Sequence, residues 1–489
     1  MQETEAAPDQ ESGNWWTRKC GGRDVLVLAF PLVISTMSFV VMQFCDRLFL
    51  TWHSGLDLAA SLPAGALSWT AASLPLGIAT YANTFVAQYE GASLRSHIGR
   101  IVWQAMWLGF ACIPLYIVLG CFAEDFFTWI GHSPELVSRE ADYFFTLSLG
   151  SGIVIVNAAL GAFFIGRGKT TVIMAVDIFS ALVNVLLDYF FIFGLAANSS
   201  VLIPEGGIYG AGLATASAQW IKMLILAWLY FRPVFRAEFG TVSGWAPKRR
   251  PFLQLLRFGV PNGFQFTIEG MAITLFVLII ARISEDASAA TALAFSINMI
   301  VFVPIFGLGI AVSTLVGQQI GEGSPELGAR ATWTAFWIGT IYTLIFAVAY
   351  IAIPDWFLAA HGAGAADAEG NHFELVEAQA ISMLAFVAVY CFFDTVQIIF
   401  VSAIKGAGDT LFVVAFTVIS AALFIFAGRL APQFFQEVDG QVRWWWWCLT
   451  GWIILLCVAY TLRFLSGRWR TMTVIEPDLL TEGSSAQPA

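Results

Sequence analysis

Three features of the sequence predict an all-α integral membrane protein of 12 transmembrane helices, arranged as two six-helix lobes related by a pseudo-twofold axis along the membrane normal. The first is bulk chemistry. Of 489 residues, 58% are hydrophobic and 12% charged, against roughly 25% charged in soluble domains, and mean hydropathy is +0.74. A soluble chain could not remove so much apolar surface from water. The second is the recurrence of apolar stretches of spanning length, and the third is an internal repeat at an offset of about 230 residues.

The apolar stretches fall at 25–53, 58–88, 98–122, 138–165, 171–196 and 209–233, then at 254–283, 288–319, 329–353, 376–404, 410–429 and 443–465. The first is too long for a signal-peptide core and has no small-residue cleavage site, so it is expected to stay as an anchor. Lys and Arg set the orientation. With the N-terminus inside, about 18 of the 24 basic residues lie in inside connections, chiefly the cluster Arg232, Arg236, Lys248, Arg249, Arg250 and Arg257. Only Arg139, Arg282, Arg429 and Arg443 fall outside. Both termini are therefore expected in the cytoplasm. The expected parts are a tail 1–24, a first lobe 25–234, a basic linker 235–253, a second lobe 254–466 and a tail 467–489. The run Trp444 to Trp447, at the outer start of the last span, reads as an interfacial aromatic belt.

Several classes are excluded or disfavoured. The net charge of −10, much of it in the tails, argues against nucleic acid as a partner. The seven cysteines show no CxxC or Cys/His spacing, so no transition-metal site is expected. The five histidines (His53, His97, His132, His361 and His372) lie near loops or span ends without the clustering of a membrane-embedded enzyme, and His53 reads as interfacial. No nucleotide-binding loop points to a pump, and no filter-like stretch points to a channel.

The repeat pairs Ala29-Phe30-Pro31 with Gly259-Val260-Pro261, Pro75 with Pro304, Ala87-Gln88 with Gly317-Gln318, and Gly168-Lys169-Thr170 with Gly408-Asp409-Thr410. Each half holds an even number of spans and starts on the same side. The halves are thus parallel repeats, the organisation of secondary transporters that rock about a midplane site.

Polar groups inside the spans are the site candidates. Asp46 lies within the first span, where a charged side chain costs roughly 2.5–3.5 kcal/mol. Adjacent Arg47 points to another side of the helix, so Asp46 needs a wet cavity, a bound cation or a proton. Asn184 and Asp188 are one turn apart and share a face. With Asn157, Asp177 and Thr215 they complete the first-half set, whose oxygen chemistry suits a small hard cation or a shared proton. The second half offers Asn262, Gln265, Glu269 and Asn298, with Tyr390, Asp394 and Gln397 on one face at i, i+4, i+7. Away from the span ends only Arg47 and Lys222 are basic, so mid-membrane acids outnumber bases. Phe44, Phe264 and Phe266, with Gln265 and Gln397, are candidates for the wall of a substrate cavity.

These stretches together resemble the multidrug and toxic compound extrusion (MATE) transporters, over nearly the whole membrane portion. The resemblance rests on Pro31 to Ala60 with Cys45-Asp46-Arg47, on Val86-Ala87-Gln88, and on Asp177 to Gly194 with its Asn184 and Asp188. Tyr209 to Ala216, Gly259-Val260-Pro261 and Phe393-Asp394-Thr395-Val396-Gln397 complete it. It implies a monomeric exporter of bulky, lipophilic or cationic organic compounds, driven by inward sodium or proton flow and needing no other cofactor. It further implies Asp46, Asn184, Asp188 and Thr215, with the backbone carbonyl of Ala211, as a first-lobe coupling site. In the NorM-type branch it implies Glu269, Tyr390 and Asp394 as a second-lobe cation site. The rival reading, a lipid-linked precursor flippase of the same superfamily, is disfavoured by spans that are acidic where such flippases are basic.

Overall fold

The computed structural model describes residues 14–197, 200–362 and 370–479. The acidic extremities of both tails, and the outer loop expected around His361 to Glu374 with His372, lie outside the residues described in side-chain detail.

The first half of the chain runs α1 (Gly22–His53), α2 (Gly55–Thr80), α3 (Ala82–Gly91), α4 (Ile98–Cys121), α5 (Ala123–Ile130), α6 (Pro134–Gly166), α7 (Thr170–Phe193), α8 (Gly207–Tyr230) and α9 (Pro233–Phe239). The second half runs α10 (Arg249–Ile283), α11 (Glu285–Gly321), α12 (Pro325–Ala352), α13 (Pro354–Gly362), α14 (Gly370–Ala407), α15 (Thr410–Gly428), α16 (Ala431–Phe434) and α17 (Val438–Leu465). Eleven helices among the described residues have the length and apolarity to cross a membrane. The twelfth expected span is α2, whose 26 residues suffice in length but are diluted by serines, threonines and two prolines. It stops at Thr80, short of the expected 88, and α3 continues past Tyr81. The fifth span also ends early. After Phe193 the chain turns at Gly194 (φ 76°) into a two-stranded antiparallel hairpin, β1 (Leu195–Ala197) with β2 (Ser200–Ile203).

The repeat is visible in backbone conformation. A single serine separates the first two long helices of each half: Ser54 at φ −161°, ψ 132°, and Ser284 at φ −158°, ψ 133°. Each is extended and caps the next helix through its hydroxyl, accepting from Leu56 N or Ala287 N at 3.2 Å. Gly168 and Gly408 both take positive φ, ahead of helices that begin at Thr170 and Thr410.

Two compact units emerge, one comprising the chain to Val33 with Ile268–Thr473, the other Ile34–Thr267 with the segment from Val474. The divisions fall inside α1 and α10, so each of these long helices contributes to both units.

In the unit built on Ile34–Thr267, α6 is the most enclosed span. It receives α8 at very short range. A β-carbon on Gly212 would lie 1.8 Å from Thr146 Oγ1, so only glycine fits; small residues of this kind replace the hydrophobic drive that lipid removes. The first part of α10 packs on α2, where Asn262 Nδ2 donates to Gly77 O at 2.6 Å and Ser73 Oγ meets Thr267 Oγ1 at 2.8 Å. Asn262 therefore ties two helices together. The segment after Thr473 returns to this unit, Val474 N donating to Gln88 Oε1 at 2.9 Å. In the other unit, α11 and α14 are the most enclosed. The tryptophan run corrects the sequence reading: Trp445 and Trp446 are buried, while Trp447 is 61% exposed. A helix turns about 100° per residue, so four consecutive rings cannot all face the interface.

His53 is likewise more than an interfacial residue. Its Nδ1 lies 2.6 Å from Asp57 Oδ2 and its Nε2 lies 2.9 Å from Glu205 Oε1. Asp57 is fully buried and also accepts from Arg139 Nη1.

Three stability outcomes follow from this packing. Gly212→Val should lower the thermal midpoint of the detergent-purified protein through overpacking, by about 1–3 kcal/mol or more. Arg139→Gln should cost about 1–3 kcal/mol by leaving the buried Asp57 short of a partner. Adding Asp57→Asn to Arg139→Gln should then cost much less than the sum of the two singles in the same thermal assay.

Candidate functional site

The unit built on Ile34–Thr267 gathers the predicted first-half residues. Asp46 is 8% exposed on α1, while Asn184 and Asp188 are 0% exposed on α7. With its amide oriented to satisfy both carboxyls, Asn184 Nδ2 donates to Asp46 Oδ1 at 3.0 Å and to Asp188 Oδ2 at 3.1 Å. The other terminal atom of that amide lies 3.5 Å from the Thr215 hydroxyl of α8. The two carboxyl groups lie within direct electrostatic reach of each other. Asp188 Oδ1 has no protein partner. Ala211 is buried one turn before Thr215.

Among the described residues the base within electrostatic reach of this pair is Arg47, the next residue along α1. Arg47 is exposed and makes no ion pair with either acid among the described residues. The Lys222 ammonium is spent elsewhere: it lies 2.5 Å from Asp177 Oδ1, and Ser35 Oγ donates to the same carboxylate. Asp177 is thus a paired acid apart from the cluster. Asn157 also has a bridging role, its Nδ2 donating to Gln219 O and Oε1 at 3.0 Å. The site therefore offers two carboxyls, one amide and one hydroxyl, an all-oxygen acceptor set around a single N–H donor group. Such a set can hold a proton between the acids or a small hard cation among the oxygens.

Tyr143 is the residue the sequence reading missed. It is buried on α6, within electrostatic reach of both Asp46 and Asp188. Nothing local marks it: it lies in the polar first part of α6, after Arg139, Glu140 and Asp142, and only the approach of neighbouring helices brings it near the acids.

In the other unit, Asp394 on α14 accepts from Gln397 Nε2 at 3.1 Å. Tyr390, one turn earlier, is buried with its ring near that of Trp446 (6.4 Å between centroids). Glu269 on α10 is in electrostatic reach of Asp394 and also of Lys405. Lys405 corrects the count of basic groups. The sequence placed it in a loop one residue beyond the tenth span, whereas α14 runs on to Ala407 and carries it towards Glu269. The second-half acids thus have Lys405 of α14 within electrostatic reach, and the first-half pair has the exposed Arg47.

The cavity-wall candidates are dispersed. Phe44 and Phe264 are 64% and 46% exposed, Phe266 packs edge-on against Trp69 at 5.8 Å, and Gln265 is buried. Gln397 belongs to the other unit and is engaged with Asp394. Among the described residues no group of three or more His, Cys, Asp or Glu side chains is placed to hold a metal ion.

Comparison with known proteins matches this layout. The family model MatE covers residues 31–190 and again 261–428, once in each half. The multidrug resistance protein PmpM of Pseudomonas aeruginosa is 27% identical over 450 residues, 89% of this chain and 90% of that protein. A probable multidrug resistance protein NorM of the same organism is 26% identical over 465 residues, covering 94% and 92%. The multidrug resistance protein MdtK of Yersinia pseudotuberculosis is 26% identical over 401 residues, covering 81% and 84%. Among solved structures, the eukaryotic MATE transporter AtDTX14 superposes with a TM-score of 0.78 at 17% identity, over 95% of this chain and 98% of that one. An outward-facing multidrug resistance MATE family transporter gives 0.79 at 18%, over 94% and 97%. These structural likenesses establish a shared fold. With a family model spanning most of both halves and multidrug resistance relatives along nearly its whole length, the chain belongs to the MATE family of multidrug efflux transporters, of NorM type.

Proposed function

We propose that this transporter is an antiporter, exporting lipophilic or cationic organic compounds in exchange for inward movement of a proton or sodium ion, with Asp46 and Asp188 carrying the ion. The observation behind this reading is the carboxyl pair itself: two buried acids bridged by one amide, with no ion-pair partner among the described residues. Two carboxyl groups bridged by one amide can hold a single proton between them, which supports the proton as the coupling ion. Without it, two charges about 4 Å apart repel by roughly 4 kcal/mol at an effective dielectric constant of 20. That repulsion is relieved by separating α1 from α7 or by taking up a cation. Ion occupancy and helix position are therefore linked, and linkage of this kind is what alternating access requires. Glu269, Tyr390 and Asp394 form the second-lobe candidate, with Lys405 able to supply an internal counter-charge when no ion is bound.

The orientation rests on the Lys and Arg bias, which puts both termini in the cytoplasm, in the inner membrane of a bacterium as for the NorM relatives. The requirement on the ion is modest. One charge moving down 100 mV supplies about 2.3 kcal/mol, enough for a roughly 40-fold substrate gradient when about 1.4 kcal/mol is tenfold. Substrate binds from the inside, and the lobes rock outward. The incoming ion neutralises the carboxyls and weakens their hold on a cationic substrate, which then leaves. A monomer suffices for this cycle.

Efflux of a cationic dye from proteoliposomes, under an imposed proton gradient and then a sodium gradient, tests the reading. Asp46→Asn is expected to abolish ion-driven efflux, and Asp188→Asn to do the same. Full activity in Asp46→Asn would move the coupling centre to Glu269 and Asp394. Tyr143→Phe is expected to keep transport but displace its pH optimum, because the buried phenol lies within electrostatic reach of the carboxyl pair; an unshifted profile would reduce Tyr143 to packing.

A further inference from the structure

At the end of α8 the backbone leaves the helix through Phe231 and Arg232 and enters the seven-residue α9. A cavity of about 470 Å³ opens there, lined by Trp228, Phe231, Arg232, Pro233, Val234 and Arg236. Its chemistry is divided. Trp228 and Val234 are 65% and 72% exposed, an apolar lip at the end of a membrane-spanning helix. The polar side is two guanidinium groups, both held in place. Arg232 lies over the Trp228 ring, 4.5 Å from its centroid, and Arg236 Nε donates to Phe231 O at 3.0 Å.

Neither guanidinium has a counter-charge. The acid of α9, Glu238, faces away and pairs with Arg95 at 2.5 Å. Among the described residues no carboxylate forms an ion pair with Arg232 or Arg236, and none lines the cavity. Two fixed cations beside exposed apolar surface would be an odd feature on a face that met only water. They fit an anion carried on a hydrocarbon body. On α8, Trp220, Leu224 and Trp228 recur one turn apart and are 40%, 61% and 65% exposed, an apolar track that runs from the cavity along the helix.

We propose that this pocket binds an anionic glycerophospholipid, its phosphodiester held by Arg232 and Arg236 and one acyl chain lying along Trp220, Leu224 and Trp228. Arginine suits a phosphate oxygen pair through its forked donors. A zwitterionic head group fits less well, because the cavity lining offers no carboxylate for its ammonium. Free phosphate would leave the apolar lip unused. The basic side chains near this helix end (Lys248, Arg249 and Arg257 follow in sequence) add a favourable field for a negatively charged leaflet.

The test uses the full-length protein in a neutral detergent, incubated with palmitoyl-oleoyl phosphatidylglycerol, palmitoyl-oleoyl phosphatidylcholine or inorganic phosphate, with bound lipid read by native mass spectrometry. Phosphatidylglycerol is expected to be retained in preference to phosphatidylcholine and not to be displaced by phosphate. The Arg232→Gln/Arg236→Gln protein should lose roughly tenfold or more of that affinity, while Arg468→Gln, at an exposed arginine of the other unit, should not. Should the double variant lower the thermal midpoint, each single variant is expected to show part of the loss in a protein of unchanged midpoint. Equal retention of the two lipids, displacement by phosphate, or undiminished phosphatidylglycerol binding by the double variant would each overturn the proposal.

Discussion

Two carboxyl groups that must share one environment inside a membrane are the constraint to which the first-half unit answers. Water is scarce there, and a lone ionised acid is expensive. Among the described residues the protein makes no ion pair to Asp46 or Asp188. It supplies one amide with two donor hydrogens, Asn184, which spans both acids at 3.0 and 3.1 Å. An arginine or lysine in that position would satisfy the acids permanently and remove any reason to bind an ion. The contrast with Asp177 is instructive, since that acid has Lys222 within 2.5 Å and so has its charge answered in place. One acid is fixed by a neighbouring cation, and the pair is left to find one.

Holding such a pair demands precise helix positions, and the packing supplies them through small residues and polar ties. Gly212 lets α8 approach α6 so closely that no side chain fits between them, which sets Thr215 beside Asn184 and Tyr143 beside the acids. At one end of the same unit, the buried Asp57 gathers His53 and Arg139, fixing the turn from α1 to α2. Asp46 sits two turns before His53 on α1. The site therefore hangs on a helix that is pinned at its end by a satisfied carboxylate and carries an uncompensated one within its length.

Much of this was legible in the sequence because it depends on local spacing. Helical periodicity put Asn184 and Asp188 on one face, and the repeat at about 230 residues reappears as two serine caps of matching conformation. What depended on tertiary contact was not legible. Tyr143 joins the site only because α6 lies where glycine packing allows. Lys405 was missed because hydropathy falls at Lys405-Gly406 although the helix continues. The tryptophan run was read from composition as a belt, whereas helix rotation turns Trp445 and Trp446 into the core. His53 reads as interfacial from sequence, since Glu205 and Arg139, which complete its cluster with Asp57, lie far along the chain. The short hairpin after Gly194 escaped for a related reason: a few residues of strand carry too little pattern to stand out beside a span.

The central claim is that Asp46 and Asp188 share one exchangeable cation. Infrared difference spectroscopy of the purified protein reads this directly through the carbonyl stretch of a protonated carboxyl group. The account predicts such a band in the wild type, its loss in both Asp46→Asn and Asp188→Asn, and its decrease when a cationic substrate or excess sodium is added. A band of equal intensity in wild type and both variants, or one indifferent to substrate and sodium, would contradict it.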